Sequence, residues 1–119
     1  MATLATRMAD AAEHFEVALE LLEGTGDRAN AIAARILLGS ARCWLGKFEE
    51  GLADLTAAAD EAARGGFTLR EVQARLEEQA KSAAAREALL EMAEKKLSDT
   101  FKALSNDALK SSSEQFLQL

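Results

Sequence analysis

Hydrophobic residues recur along this chain at the three- and four-residue spacing of amphipathic helices. The second such stretch, 28–45, is apolar around most of its circumference and is therefore predicted to be the most buried. The first stretch has its apolar positions at Leu4, Met8, Ala12, Phe15, Leu19 and Leu22, and the third at Phe48, Leu52, Leu55, Ala58 or Ala59, and Ala62. The pattern predicts an all-α fold.

Glycines and N-cap residues divide the pattern into four predicted helices, 4–23, 28–45, 47–64 and 68 onward. Gly24 suits a helix C-terminus, and Thr25 or Asp27 suits the N-cap that follows. Gly46 and Gly65-Gly66 indicate the next two ends, and Thr68 with Glu71 forms a capping box. Because the loops are short, sequential helices are predicted to run antiparallel.

Two glycines, Gly39 and Gly51, fall inside predicted helices. A glycine there costs about 1 kcal/mol relative to alanine, so a compensating interaction is expected. We expect the backbones of neighbouring helices to approach closely at these two positions.

A strict seven-residue repeat follows residue 68. Its members are Leu69, Leu76, Ala83, Leu90, Leu97 and Leu104. Such a repeat is typical of a coiled coil. It predicts one long helix over 68–110, about 60–65 Å long if continuous at 1.5 Å per residue. The first three helices are too short to cover it, so part of it is expected to be solvated, folded back or paired with a second copy. In a homodimer these residues would form the helix-pairing seam. Leu69, Val72 and Leu76 are also expected to cap the open edge of the first three helices.

Composition supports helices and limits the chemistry. Ala, Glu, Lys, Leu and Arg supply 72 of the 119 residues, and proline is absent. A single histidine, His14, and a single cysteine, Cys43, cannot assemble a zinc or iron–sulfur site without another chain. No cofactor, no metal and no enzymatic activity are predicted. His14 is expected at the surface, and Cys43 with Trp44 in the core.

Charge and hydropathy bear on location and partners. The net charge is −6, of which 1–66 carry −5 (6 basic, 11 acidic) and 67–119 carry −1 (8 basic, 9 acidic). This balance makes direct nucleic-acid binding unlikely, since phosphate binding needs clustered positive charge. No apolar run approaches the ~18–20 residues that cross a bilayer, and the first residues lack a secretory pattern. The chain is therefore expected to be cytoplasmic and not membrane-bound.

Residues 8–65 resemble the tetratricopeptide repeat, a helical hairpin of about 34 residues, in the degenerate form found in bacterial regulators. The matching positions are Leu38, Gly39, Gly46, Phe48, Leu52, Leu55 and Ala58, and 15–19 repeat 48–52 at an offset of 33 residues. Arg35 and Arg42 depart from the pattern, because the family has aromatic residues there. The resemblance implies antiparallel hairpins that bind proteins.

Residues 75–119 resemble a different family, the RmuC DNA recombination proteins of bacteria. The similarity lies in 94–109 and 113–117, with Phe101, Leu104 and Leu109 among the matching residues. It implies the end of a long coiled coil, without the nuclease-like domain that follows it in that family. No catalytic residue is carried over from this resemblance.

The two resemblances meet at Gly65-Gly66. Lysine occurs once before residue 67 and five times after it. We therefore expect a helical domain over 1–66 and a long helix with a fraying C-terminal tail over 67–119. A fused, truncated or artificial chain would have this organisation.

Three functional hypotheses are compatible with this sequence. The first is a non-enzymatic protein–protein interaction module. The second is a small acidic inhibitor, similar to an antitoxin, that neutralises a basic protein. The third is a truncated RmuC-like coiled coil. The candidate residues for binding a protein partner, possibly a basic one, are Glu13, Glu16, Glu20, Glu49, Glu50 and Asp54.

Overall fold

All secondary structure in the described part of the chain is helical. A computed structural model describes residues 3–81, 83–96 and 98–99. Four helices are α1 (Leu4–Thr25), α2 (Arg28–Trp44), α3 (Phe48–Gly65) and α4 (Leu69–Ala80). A fifth helix, α5, covers 86–96. The predicted all-α class is confirmed.

The helix ends follow the predicted capping residues closely. Asp27 caps α2 by accepting the Asn30 backbone N–H at 3.3 Å, and Thr68 caps α4 in a complete capping box. Hydrogen bonds from Asn30 lower the pKa of the Asp27 carboxyl, so this cap stabilises the fold above the unfolded-state pKa and weakens as pH falls. Gly26, with a φ of 77°, ends α1 two residues beyond the predicted Gly24.

Helix α2 lies at the centre and packs against α1, α3 and α4. Its buried residues occupy most of its circumference, as predicted: Ala31, Ile32, Ala33, Ala34, Ile36, Leu37, Leu38, Gly39, Ser40, Ala41 and Cys43. Met8, Ala11 and Phe15 contribute to the same core from α1. Trp44 is only partly buried, in contrast to its predicted core position.

The crossing of α2 and α3 depends on Gly39 and Gly51, as the sequence predicted. A Cβ atom added at Gly39 would lie 2.8 Å from the Gly51 carbonyl oxygen. One added at Gly51 would lie 2.7 Å from the Gly39 carbonyl oxygen and 2.5 Å from the Cys43 sulfur. The absence of both side chains lets the two backbones approach, which explains why glycine occurs inside each helix.

The long helix predicted over 68–110 is interrupted, because α4 ends at Ala80. Lys81 and residues 83–85 are not helical, and Ala85 has a left-handed φ of 58°. The Leu89 N–H donates to the Ala85 carbonyl oxygen at 2.9 Å, where the next helix begins. The interruption lets Leu89 and Ala93, both fully buried, join the same core as α1–α4.

This interruption changes the surroundings of the predicted pairing seam. Leu76 is fully buried and Val72 is 3 % exposed, and both belong to the core cluster of their own chain, where α4 packs against α2. Leu69 and Leu90 are partly buried, and Ala83 lies in the interruption. Leu97 and Leu104 lie outside the described residues. Pairing with a second copy stays a prediction.

The domain boundary and the C-terminal tail also stay predictions. Gly66, with a φ of 72°, ends α3 at the predicted boundary. The buried residues of α4 and α5 nevertheless belong to one hydrophobic cluster with those of α1–α3. The predicted tail and residues 100–119 of the RmuC-like segment lie outside the described residues.

The predicted apolar face of α3 is only partly buried. Leu55, Ala58, Ala59 and Ala62 are in the core, whereas Phe48 is 63 % and Leu52 is 52 % exposed. The reason lies in the packing of α4, which contacts α2 rather than covering the first turns of α3.

Candidate functional site

Three arginines on α2 interact with the acidic faces of α1 and α3. Arg28, Arg35 and Arg42 are seven residues apart, which places them along one side of the helix. The Arg28 Nε lies 3.9 Å from the Glu61 Oε1 of α3, and Arg35 forms an ion pair with Glu23 of α1. Arg28 therefore connects α2 to α3, and Arg35 connects α2 to α1.

Arg42 is the centre of the largest ion-pair group. Its Nη1 donates to Asp54 Oδ2 at 2.7 Å, and its Nη2 lies 3.9 Å from Glu16 Oε1. Its Nε lies 3.9 Å from Glu50 Oε2. Three carboxylates around one guanidinium leave a local excess of negative charge between α1 and α3.

The structure brings together three of the six predicted partner-binding residues. Glu16, Glu50 and Asp54 surround Arg42, and the Asp54 side chain is only 15 % exposed. Asp54 therefore has a structural partner within its own chain. The other three residues are exposed, and within the described residues they form no ion pair: Glu13, Glu20 and Glu49.

Replacing Arg42 by Gln is expected to lower the free energy of unfolding by about 1–3 kcal/mol, because it leaves the largely covered Asp54 carboxylate without its cation. Urea denaturation measures the change. The control is Arg64→Gln, which breaks an exposed pair with Asp60 (73 % and 62 % exposed side chains) and should cost less than about 0.5 kcal/mol. Equal costs for the two variants would contradict a structural role for Arg42.

Two exposed apolar pairs are the other distinctive surface feature. Val17 (58 % exposed) and Leu21 (66 %) lie on α1, and Phe48 and Leu52 lie on α3. Each pair has the i, i+4 spacing that places both side chains on one face. Val17 and Leu21 could be found from the sequence, because they lie outside the apolar face that α1 uses for the core.

The two pairs have different charged surroundings. Val17, Ala18 and Leu21 share a shallow groove with Asp10, Glu13 and His14. Phe48 borders a second groove with Lys47, Glu49 and Glu50. Large apolar side chains surrounded by polar ones are typical of binding surfaces.

The two residues with potential reactivity, His14 and Cys43, lie as predicted. His14 is exposed, and its ring makes an edge contact with Phe15 at a centroid distance of 5.0 Å. Cys43 is 4 % exposed, and burial raises the pKa of its thiol. The thiolate that nucleophilic chemistry requires is thereby disfavoured.

Cys43 is therefore expected to react with a disulfide reagent at pH 8 roughly a hundredfold more slowly in the folded chain than in urea, because reaction requires local opening. Thiol release followed by absorbance measures both rates. Similar rates in the two states would show that Cys43 is accessible.

Comparison with protein-family models, curated proteins and solved structures finds no match for this chain. Among the described residues, no group of three or more His, Cys, Asp or Glu side chains is placed to hold a metal ion. None of the described helices is both long enough and apolar enough to cross a membrane.

Proposed function

We propose that the protein is a non-enzymatic helical module that binds another protein through its exposed apolar pairs. The observation that carries this proposal is the exposure of Val17, Leu21, Phe48 and Leu52, four large apolar side chains on helices whose other faces build the core. Burying such side chains against a partner removes apolar surface from water, at about 25 cal/mol per Å². The acidic residues beside them add a preference for a basic partner.

A quantitative pull-down from cells that express the protein tests this proposal. Partner recovery with the unmodified chain is compared with Val17→Asp/Leu21→Asp and with Phe48→Asp/Leu52→Asp. Because all four side chains are at least half exposed, these variants are expected to remain folded, which circular dichroism checks. Loss of one specific protein with at least one variant supports the proposal. Equal recovery with all three chains would contradict it.

The second candidate is the small acidic inhibitor of a basic protein. Two observations support it: the excess of carboxylates around Arg42, and the exposed carboxylates that form no ion pair within the described residues, those of Glu13, Glu20 and Glu49. Binding driven by these charges should have an association rate that falls steeply between low and physiological salt, since salt screens steering. Binding through the apolar pairs should change little over the same range. Stopped-flow mixing with the recovered partner distinguishes the two mechanisms.

A further inference from the structure

Helices α1 and α3 contain a related stretch of sequence. In α1 its aromatic residue is buried, and in α3 the corresponding aromatic residue is exposed. At an offset of 33 residues, the residues Phe15, Glu16, Leu19 and Leu22 correspond to Phe48, Glu49, Leu52 and Leu55. The two copies thus have the same apolar spacing and the same acidic neighbour. Their surroundings in the folded chain differ.

In the first copy, the apolar residues are covered. Helix α1 packs against α2, Phe15 is fully buried and Leu19 is partly buried. Glu16 of this copy lies 3.9 Å from Arg42 of α2. The residues of this repeat therefore accept a helix that brings an arginine to the glutamate.

In the second copy, Leu55 is buried in the core, whereas the other three positions are open. Phe48 is 63 % and Leu52 is 52 % exposed. Glu49, which corresponds to Glu16, is exposed and forms no ion pair within the described residues. Helix α4, the next helix along the chain, packs against α2 instead.

We propose that Phe48, Glu49 and Leu52 form a docking face for a partner helix with the chemistry of α2. Such a helix has an apolar face of alanine and leucine and an arginine placed to meet Glu49. This inference rests on the proposed function and specifies its site and its partner. Shape and charge both support it, since the face has the residues that already bind one such helix in this chain.

A second copy of the chain is a poor occupant of this face. The residues of α2 that would have to cover it are already buried in their own core, among them Ala34, Leu38 and Ala41. Releasing them would expose much of the core to water, which costs more than the new contact returns. The partner helix is therefore expected to come from another protein.

The test uses a fluorescent helical peptide of the length of α2, with an alanine and leucine face and an arginine at the position of Arg42. Binding to the full chain is followed by anisotropy. We expect Leu52→Asp to weaken binding at least about tenfold, because it places a charge in the apolar contact. The matched control is Leu21→Asp, at the leucine of the other pair, which is also more than half exposed; it is expected to leave binding unchanged. A scrambled peptide of the same charge should not bind.

A charge exchange tests the role of Glu49. Glu49→Arg should weaken binding of the arginine peptide several-fold and should restore binding of a peptide in which that arginine is glutamate. The inference would be overturned if neither peptide bound. It would also be overturned if Leu21→Asp abolished peptide binding and Leu52→Asp did not. In that second case the proposed function would stand, with its binding site on α1. If the pull-down described above also showed no dependence on either apolar pair, the function itself would fail.

The same variants identify other occupants of the face. If Leu52→Asp converts a dimer into a monomer in light scattering, a second copy covers the face. If Leu52→Asp shifts the NMR signals of residues 100–119 in the isolated chain, the C-terminal segment covers the face. Either result would overturn the assignment to a partner helix. Unchanged mass and unchanged signals are expected.

Discussion

Replacing Leu89 by Ala is expected to lower the free energy of unfolding by about 2–5 kcal/mol, the range for a fully buried leucine. Leu89 has no exposed surface and lies in the common core with Leu76 and Ala93. The loss combines the transfer free energy of the removed atoms with the cost of the cavity that remains. Urea denaturation followed by circular dichroism measures it.

The matched control is Leu90→Ala, since Leu90 is adjacent but only partly buried. It should cost less than about 1.5 kcal/mol, because less apolar surface is lost. The seven-residue repeat predicts the opposite order, with Leu90 in a seam between two copies. A larger cost at Leu90 than at Leu89, dependent on protein concentration, would support that seam and contradict the packing of α5.

Replacing Gly51 by Ala is expected to destabilise the chain by about 1–3 kcal/mol, although alanine favours helices by about 1 kcal/mol over glycine. The new Cβ would lie 2.7 Å from the Gly39 carbonyl oxygen and 2.9 Å from the Cys43 backbone nitrogen. These are backbone atoms, so α2 and α3 would have to move apart to relieve the overlap. Thermal and urea denaturation both measure the effect.

Gly24→Ala is the control for the Gly51 substitution. Gly24 also lies within a helix, but a Cβ there would meet no atom within 4 Å. This variant should be stabilised by about 0.5–1 kcal/mol, because only helix propensity and chain entropy change. The same sign for both substitutions would contradict the close approach of α2 and α3.

The local features of the fold could be predicted from short sequence patterns. The capping box at Thr68 and Glu71 depends on residues three apart, and the N-cap at Asp27 depends on its own side chain. The close approach at Gly39 and Gly51 could also be predicted. A glycine inside a helix is unfavourable relative to alanine, and close packing of a neighbouring helix compensates for this cost. The two caps have causes that lie within a few residues, whereas the glycines can be recognised locally but owe their role to a contact between two helices.

The interruption after Ala80 could not be predicted in the same way. Residues 81–85 contain neither glycine nor proline, and three of the five are alanine, the strongest helix former. The left-handed φ of Ala85 is unfavourable locally. Its compensation is the burial of Leu89 and Ala93, which depends on where the first three helices lie.

The candidate site was only partly predictable for a related reason. Phe48 and Leu52 have the spacing of core residues, and their exposure follows from the position of α4 on α2. Among the predicted acidic residues, Asp54 is held by Arg42, a partner twelve residues earlier. Helical periodicity identifies a face, but the neighbouring helix decides whether that face is buried, paired or open.

Binding of a partner helix to the face formed by Phe48, Glu49 and Leu52 can be tested in cells that express the protein. A photo-crosslinking amino acid is placed at position 52, with the neighbouring exposed position Ala53 as the control. We expect a covalent adduct with one protein from position 52, mapped to an amphipathic helix that contains arginine, and little from position 53. Equal adducts from both positions, or none from position 52, would contradict it.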